Sequence, residues 1–369
     1  MIAIPQASPQ LRFARYRAQV DAAIARVIDS GLYVLGPAVA EFEASFAAYL
    51  GAGHAVGVGS GTDAVALALR AIGIGPGDEV IAPALTAAGT AQGILASGAS
   101  VRFAEVDAST RCLDPAAAAA AVTPRTAAIV AVHLFGQPCD VVALAAVAAR
   151  HGLALVEDAA QAHGASVGGR RIGTFGQAAA FSFYPTKPLG ALGDGGAVVT
   201  SDPGIAERVR ALRVYGWDGP ERISRTAAGN SRLDTLQAAV LSALLPSLDK
   251  INGERRVIAA AYRDALAGQD FRLPPDDSGA VYHQFAIRVG QRDRFRSWLA
   301  EQEGIGTNVH YYPALHEQPA FAGGTPVSLP VTEALAGDLV SLPIEPEVVG
   351  SHSARIAAAV LKGISLCGS

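Results

Sequence analysis

Three short stretches carry residue types that could act on a ligand: GSGTD at 59–63, VEDAAQAHGA at 156–165 and FSFYPTKPLGALGDGG at 181–196. In the last, an apolar run (Phe181-Ser182-Phe183-Tyr184) stops at Pro185, and Lys187 stands alone between two prolines before the chain turns to glycine. A lysine held partly out of water at a strand end has a lowered pKa and can act as an amine nucleophile. A solvated loop charge is the plain alternative. In the second stretch Asp158 ends the apolar run LALVED, where a carboxylate is costly unless a cation meets it. It could equally cap a helix. Gln161 and His163 follow closely enough to face the same cleft.

GSGTD closes one apolar run and opens a helical one, so the amides of Ser60, Gly61 and Thr62 point outward with the helix dipole behind them. That is a site for a phosphate, with the Ser60 and Thr62 hydroxyls as further donors; a glycine turn with Thr62 as N-cap is the alternative. A GxGxxG pattern is absent there, so a dinucleotide site is not supported. A phosphate cradle, an aspartate at a strand end and a loop lysine are together the parts that pyridoxal 5'-phosphate requires. The cradle takes the phosphate, Asp158 keeps the ring nitrogen protonated, and Lys187 forms the Schiff base.

These stretches must be positioned by the elements around them. From 54 to 200, short apolar runs alternate with Ala/Leu-rich helical ones: HAVGVGS, EVIAP, VRFAEVD, TAAIVAVHLF, LALVEDA, AAAFSFY and GGAVVT are the strand candidates. Continuous apolar strands with helices between them predict an α/β fold, a mostly parallel sheet covered on both faces. Ligands bind such sheets at the carboxyl ends of the strands, where all three motifs fall. Helices are expected to dominate 202–265. A strand at 281–289, a helix after it and a loop rich in Pro, His and Tyr predict a smaller α+β domain, giving a large domain 1–245 and a small one 246–369.

Half of the 369 residues are hydrophobic, 17% are charged, and the formal net charge is -4. This suits a globular enzyme and gives no electrostatic reason to expect nucleic acid or an anionic membrane. No apolar run reaches the about 20 residues of a membrane span. The N-terminus shows no apolar segment followed by a cleavage site. Cys112, Cys139 and Cys367 are widely spaced, and no His/Cys spacing matches a zinc or iron–sulfur site. Reduced thiols, no metal and a cytoplasmic location are expected.

Over nearly its whole length the chain resembles the DegT/StrS-type sugar aminotransferases, which have the type I aspartate-aminotransferase fold. The matching blocks include SGLYVLGPAVAEFEASFAAYLG, GVGSGTDAVALAL, VEDAAQAHGA, FSFYPTKPLGALGDGGAVVT, GNSRLDTLQAAVL and IGTNVHYYPALHEQPAF. The resemblance implies that Lys187 is the Schiff-base lysine and Asp158 the partner of the ring nitrogen. It implies Gln161 near the ring hydroxyl, Gly61, Thr62 and Ser182 on the phosphate, and Asn230 reaching the phosphate of the other subunit in a homodimer with shared active sites. Two positions depart from the common pattern. Ala87 stands where many relatives place an aromatic residue over the ring, and Pro188 where relatives usually have Asn.

The activity implied is transfer of the amino group of L-glutamate, through pyridoxamine phosphate, to a keto group on a nucleotide-linked sugar. GALGDGG resembles relatives acting on dTDP-linked 3-keto-6-deoxyhexoses; a 4-keto sugar or a keto-cyclitol is the alternative. His163, Tyr184, His310 and Tyr312 are the candidate sugar contacts, with a packed loop as the alternative for the last two; Tyr33 in SGLYVLGP could equally be a hydrophobic anchor. A 3-dehydratase of the same superfamily would carry histidine in place of Lys187. A regulator that binds the cofactor without turnover is the remaining alternative, and no basic DNA-binding segment supports it.

Overall fold

The computed structural model of the chain describes residues 3–268, 273–321 and 327–367. In chain order its strands are β1 (His54–Val58), β2 (Glu79–Pro83), β3 (Ser100–Ala104), β4 (Thr126–Val132) and β5 (Ala154–Asp158). A small hairpin of β6 (Ser166–Val167) and β7 (Arg170–Arg171) follows, then β8 (Ala178–Ser182) and β9 (Gly196–Thr200). A second hairpin, β10 (Trp217–Asp218) and β11 (Ile223–Ser224), precedes the last pair, β12 (Phe285–Arg288) and β13 (Leu339–Leu342).

Seven strands form one sheet in the order β1-β9-β8-β5-β4-β2-β3. Neighbours pair in parallel from β3 across to β8, and β9 alone runs against both β8 and β1. β2, β8 and β9 are buried at every position, as expected for apolar strands covered on both faces. The mostly parallel α/β sheet expected from the sequence is therefore present, with every candidate strand between 54 and 200 in it. β3 is shorter than the stretch 101–107, and the run 126–135 ends as strand at Val132 before a short helical turn, Leu134–Gly136. Ser60, Thr86, Val132, Asp158 and Ser182 all stand at or just past the carboxyl ends of strands that point the same way.

The second half of the chain adds detail to the expected elements. Helix dominates 202–265 as expected, in Pro203–Leu212, Thr235–Leu244 and Leu248–Ala265, with a stretch of loop and the β10–β11 hairpin between the first two. The last two of these helices are separate. Pro246, which cannot donate to the ladder, sits in a 3-10 turn between Thr235–Leu244 and Leu248–Ala265. The strand candidate 281–289 is ordered as strand only over Phe285–Arg288, paired antiparallel with Leu339–Leu342.

One hydrophobic core surrounds the seven-stranded sheet. A second gathers Tyr262, Phe285, Phe295, Val340 and Val360 on the β12–β13 pair and its helices. The helix Leu248–Ala265 serves both, Leu248 and Ile251 in the first and Ile258 and Tyr262 in the second. Within the first core, Phe42 and Phe46 of the helix Pro37–Leu50 meet Phe181 and Phe183 at the end of β8. Phe46 sits edge-on to Phe181 at 5.1 Å and to Phe183 at 5.5 Å between ring centres. This aromatic group backs the strand that leads to Lys187. Replacing Phe46 with Ala should cost about 3–5 kcal/mol of stability in an equilibrium denaturation measurement. A loss below about 1 kcal/mol would show that the strand end is held by something else.

Candidate active site

A cleft of about 770 Å³, open to solvent, lies across the carboxyl ends of β1, β2, β4, β5 and β8. Its walls carry Ser60, Gly61, Thr62, Ala87, Asp158, Gln161, Ser182, Tyr184 and Lys187, so nearly all the cofactor residues expected from the sequence converge here.

The helix Gly61–Ile72 begins directly after β1, leaving its first amides without partners inside the helix. Ser60, not Thr62, is its N-cap: the Ser60 hydroxyl accepts a bond from the Asp63 amide at 3.1 Å. A Cβ on Gly61 would lie 2.5 Å from Cβ of Ser182, so only glycine lets this helix end press against the end of β8. The Gly61 and Thr62 amides and the Ser182 hydroxyl thereby share one wall of the cleft, a donor-rich cradle suited to a phosphate.

Asp158 is buried and caps no helix. Its Oδ2 accepts from the Thr90 hydroxyl at 2.7 Å and its Oδ1 from the Ala160 amide at 3.1 Å. Thr90 is in turn hydrogen-bonded to Thr86 at 2.9 Å. The chain's own donors thus fix one carboxylate at the cleft floor, where a protonated ring nitrogen would find its counter-charge. Gln161 is also locked, its Oε1 accepting from the Phe135 amide at 2.7 Å and its Nε2 donating to the Tyr311 hydroxyl at 3.0 Å. Lys187 is half-buried and lines the same cleft as Asp158. Burial pushes its amine down to about 8, and the Asp158 charge opposes that shift.

The comparisons with known proteins agree with this geometry. The model of the DegT/DnrJ/EryC1/StrS aminotransferase family matches residues 15–361. The chain belongs to this family. It is 49% identical over 363 residues to dTDP-3-amino-3,4,6-trideoxy-alpha-D-glucose transaminase of Streptomyces venezuelae, across 97% of this chain and 95% of that one. The crystal structure of S. venezuelae DesV in complex with a ketimine intermediate is 48% identical, with a TM-score of 0.94 over 97% of this chain and 98% of that chain. NtdA of Bacillus subtilis with bound pyridoxamine phosphate is 27% identical, with a TM-score of 0.92 over 99% and 86% of the two chains. The protein is a pyridoxal-phosphate-dependent aminotransferase with the type I fold. The cradle, the fixed carboxylate and the depressed lysine fit that cofactor's phosphate, ring nitrogen and aldehyde.

The candidate sugar contacts of this aminotransferase divide. Tyr184 lies on the cleft wall with its side chain half in solvent. His163 does not reach the cleft. It is fully buried against Phe46, Phe181 and Phe183, its ring 5.3 Å from that of Phe181, because the turn after Asp158 points it under the sheet. Burial and then the Lys187 charge push its imidazole down to about 3, so it is a neutral packing group rather than a substrate contact. His310 is bonded to Ser341 at 2.8 Å and to Asn308 at 3.2 Å, which is the packed-loop alternative. Tyr312 is 60% exposed with the Arg292 guanidinium over its ring, and neither residue lines the cleft. Their neighbour Tyr311 instead enters the site through Gln161. Asn230 is exposed, bridges to Val214, and lies five residues before the helix Thr235–Leu244, so it does not cap that helix.

Thr86, Thr90, Asp194 and Tyr311 are site residues that the sequence reading missed. Only Asp194 had a signal, its place in GALGDGG.

The lysine gives a pH test. Only the uncharged amine attacks an aldehyde, so protonation below about 8 should slow uptake of pyridoxal phosphate by cofactor-free protein. The rate should rise with pH and level off above about 8, whereas an ordinary lysine, with a pKa of about 10.4, would keep gaining. Stopped-flow absorbance across this range distinguishes the two.

Proposed function

We propose that Lys187 carries the cofactor and moves the protons, that Asp158 pairs with its ring nitrogen, and that L-glutamate is the amino donor. The proposed acceptor is a dTDP-linked 3-keto-6-deoxyhexose. The observation that supports the assignment of roles is that Lys187 and Asp158 line one cleft together with Gly61, Thr62 and Ser182. The substrate rests on the 49% identical relative, whose name is that of a transaminase for a dTDP-linked 3-amino sugar.

The cofactor, when bound, supplies an electron sink for the charge left on a carbon that loses its proton. Lys187, uncharged for part of the time near neutral pH, takes the α-carbon proton of glutamate. In the second half-reaction it returns a proton to the sugar carbon that bore the keto group. Asp158, held by Thr90 and the Ala160 amide, cannot swing away from the ring nitrogen. Tyr184 and Asp194, exposed residues that line the cleft, are the proposed contacts to the sugar.

The protein is further proposed to be a homodimer. Ile28, Leu32, Tyr33, Val34 and Leu236 are all at least 38% exposed. The segments that bear them are stitched together by the Thr235 amide on the Tyr33 carbonyl and by the Val34–Asp234 bridge. A continuous apolar face of this kind suits a second copy of the chain. Asn230, exposed and not among the residues that line its own cleft, is then the residue that reaches the partner's phosphate.

Two measurements test these proposals. The pyridoxamine form should aminate a dTDP-3-keto-6-deoxyhexose with nitrogen at C3 by NMR, and Lys187→Ala should abolish turnover. Nitrogen at C4, or turnover of an inosose only, would refute the substrate assignment, and an active Lys187→Ala would refute the role of the lysine. For the shared site, Asn230→Ala and Lys187→Ala, each nearly inactive at limiting cofactor, should be unfolded and refolded together. About half of the dimers would be mixed, each with one intact site, so about a quarter of wild-type activity should return. If Asn230 serves its own chain, no activity returns.

A further inference from the structure

Arg12 lies in a short N-terminal helix, Pro9–Arg15, far in sequence from every motif of the site, yet it is 1% exposed. Its Nη1 donates to the backbone carbonyl of Lys187 at 2.6 Å, and its Nη2 donates to Glu345 at 3.1 Å. Glu345, itself 3% exposed, stands three residues after β13, and its second oxygen accepts from the Ser8 amide at 2.8 Å. One guanidinium therefore ties together the N-terminal helix, the lysine loop and the segment leaving the second core.

We propose that Arg12 is a positioning residue for Lys187, fixing the lysine's backbone so that its amine stays aimed into the cleft. This rests on the reading of Lys187 as the lysine that carries the cofactor. The peptide after Lys187 offers little else to hold it. Pro188 has no N–H to donate, and it confines the conformation of the residue before it. On the other side the Lys187 amide bonds to the Tyr184 carbonyl at 2.8 Å, closing a tight turn. The carbonyl remains, and Arg12 takes it with a charge-assisted bond inside the protein, where such bonds are short and directional. The other charged or titratable groups near Lys187 are Asp158 on β5, His163 after it, His283 and His310. Arg255 faces Arg12 from the helix Leu248–Ala265. Arg12 alone among these donates to the loop's backbone.

The test uses holoenzyme of the wild type and of Arg12→Met, Arg12→Lys and Arg15→Ala. Arg15 anchors the same helix through exposed bonds to Glu254 and Glu347 and has no contact with the lysine loop, so it reports on helix docking alone. Borohydride reduction followed by peptide mass analysis first asks whether the cofactor is attached to Lys187. A label elsewhere overturns the reading of the lysine and the inference with it. With the label on Lys187, Arg12→Met should lower the single-turnover rate with glutamate about tenfold or more, the loss expected for one charge-assisted hydrogen bond. It should also raise the pH midpoint of the holoenzyme's visible absorbance, since a loosened lysine loop admits water and relieves the burial that lowers the amine. Arg12→Lys keeps a partner for Glu345 and one donor, so it folds if Arg12→Met does not, and it should restore part of both losses. Arg15→Ala should change neither. Unchanged rate and midpoint in the Arg12 variants, or equal changes in Arg15→Ala, would overturn the inference.

Discussion

The site rests on one balance: an amine that burial pushes down to about 8 shares its cleft with a carboxylate whose charge pulls it back up. Water would keep Lys187 protonated, and a fully apolar pocket would leave Asp158 unpaired. The structure takes a middle course. Burial lowers the lysine, the Asp158 charge limits how far, and Thr90 and the Ala160 amide satisfy the carboxylate, so that it does not simply close on the amine as an ion pair. Moving either group by a side chain's length would upset that balance.

The sheet is what makes such placement repeatable. Parallel strands end together, so a turn after β1, another after β2 and the last residue of β5 deliver their side chains to one edge without any long loop. The glycines at the join are there for contact rather than for freedom. A Cβ on Gly196, where β9 begins, would lie 2.3 Å from the Ser60 carbonyl oxygen, and Gly61 meets Ser182 just as closely. Helix end, strand end and strand start are packed backbone to backbone, which holds the donors of the cradle in place before any anion arrives.

Lys187, Asp158 and the GSGTD turn were legible because each breaks a local pattern: a charge or a glycine cluster at the end of an apolar strand. The fold was legible for the same reason, through strands that read as unbroken apolar runs. What the sequence hid are contacts made across the fold. Thr90 meets Asp158 over 68 residues, Tyr311 meets Gln161 over 150, and Arg12 meets Lys187 over 175. None of these residues stands out among its neighbours. His163 erred the other way: it stands close to Asp158 in sequence, but the turn between them sends it into the aromatic core. The loop and hairpin at 213–234 gave no signal of their own between strongly helical segments, because the hairpin is only two residues deep on each side.

The antiparallel strand β9 has a consequence for how the chain is made. β1 sits at the sheet's edge, and β9 is its sole neighbour there, so the first strand of the sheet to leave the ribosome has nowhere to pair until residues 196–200 have followed it. The strands from β2 to β8 can assemble in order of synthesis, while β1 and the cradle beside it wait for β9 to lie down between them and β8. Such a long-range closure is slow compared with local pairing. The nascent chain therefore passes through a stage in which Lys187 and Asp158 have already been translated but the phosphate cradle does not yet exist. Cofactor capture belongs to the end of folding, when the oldest strand is locked in by one of the youngest.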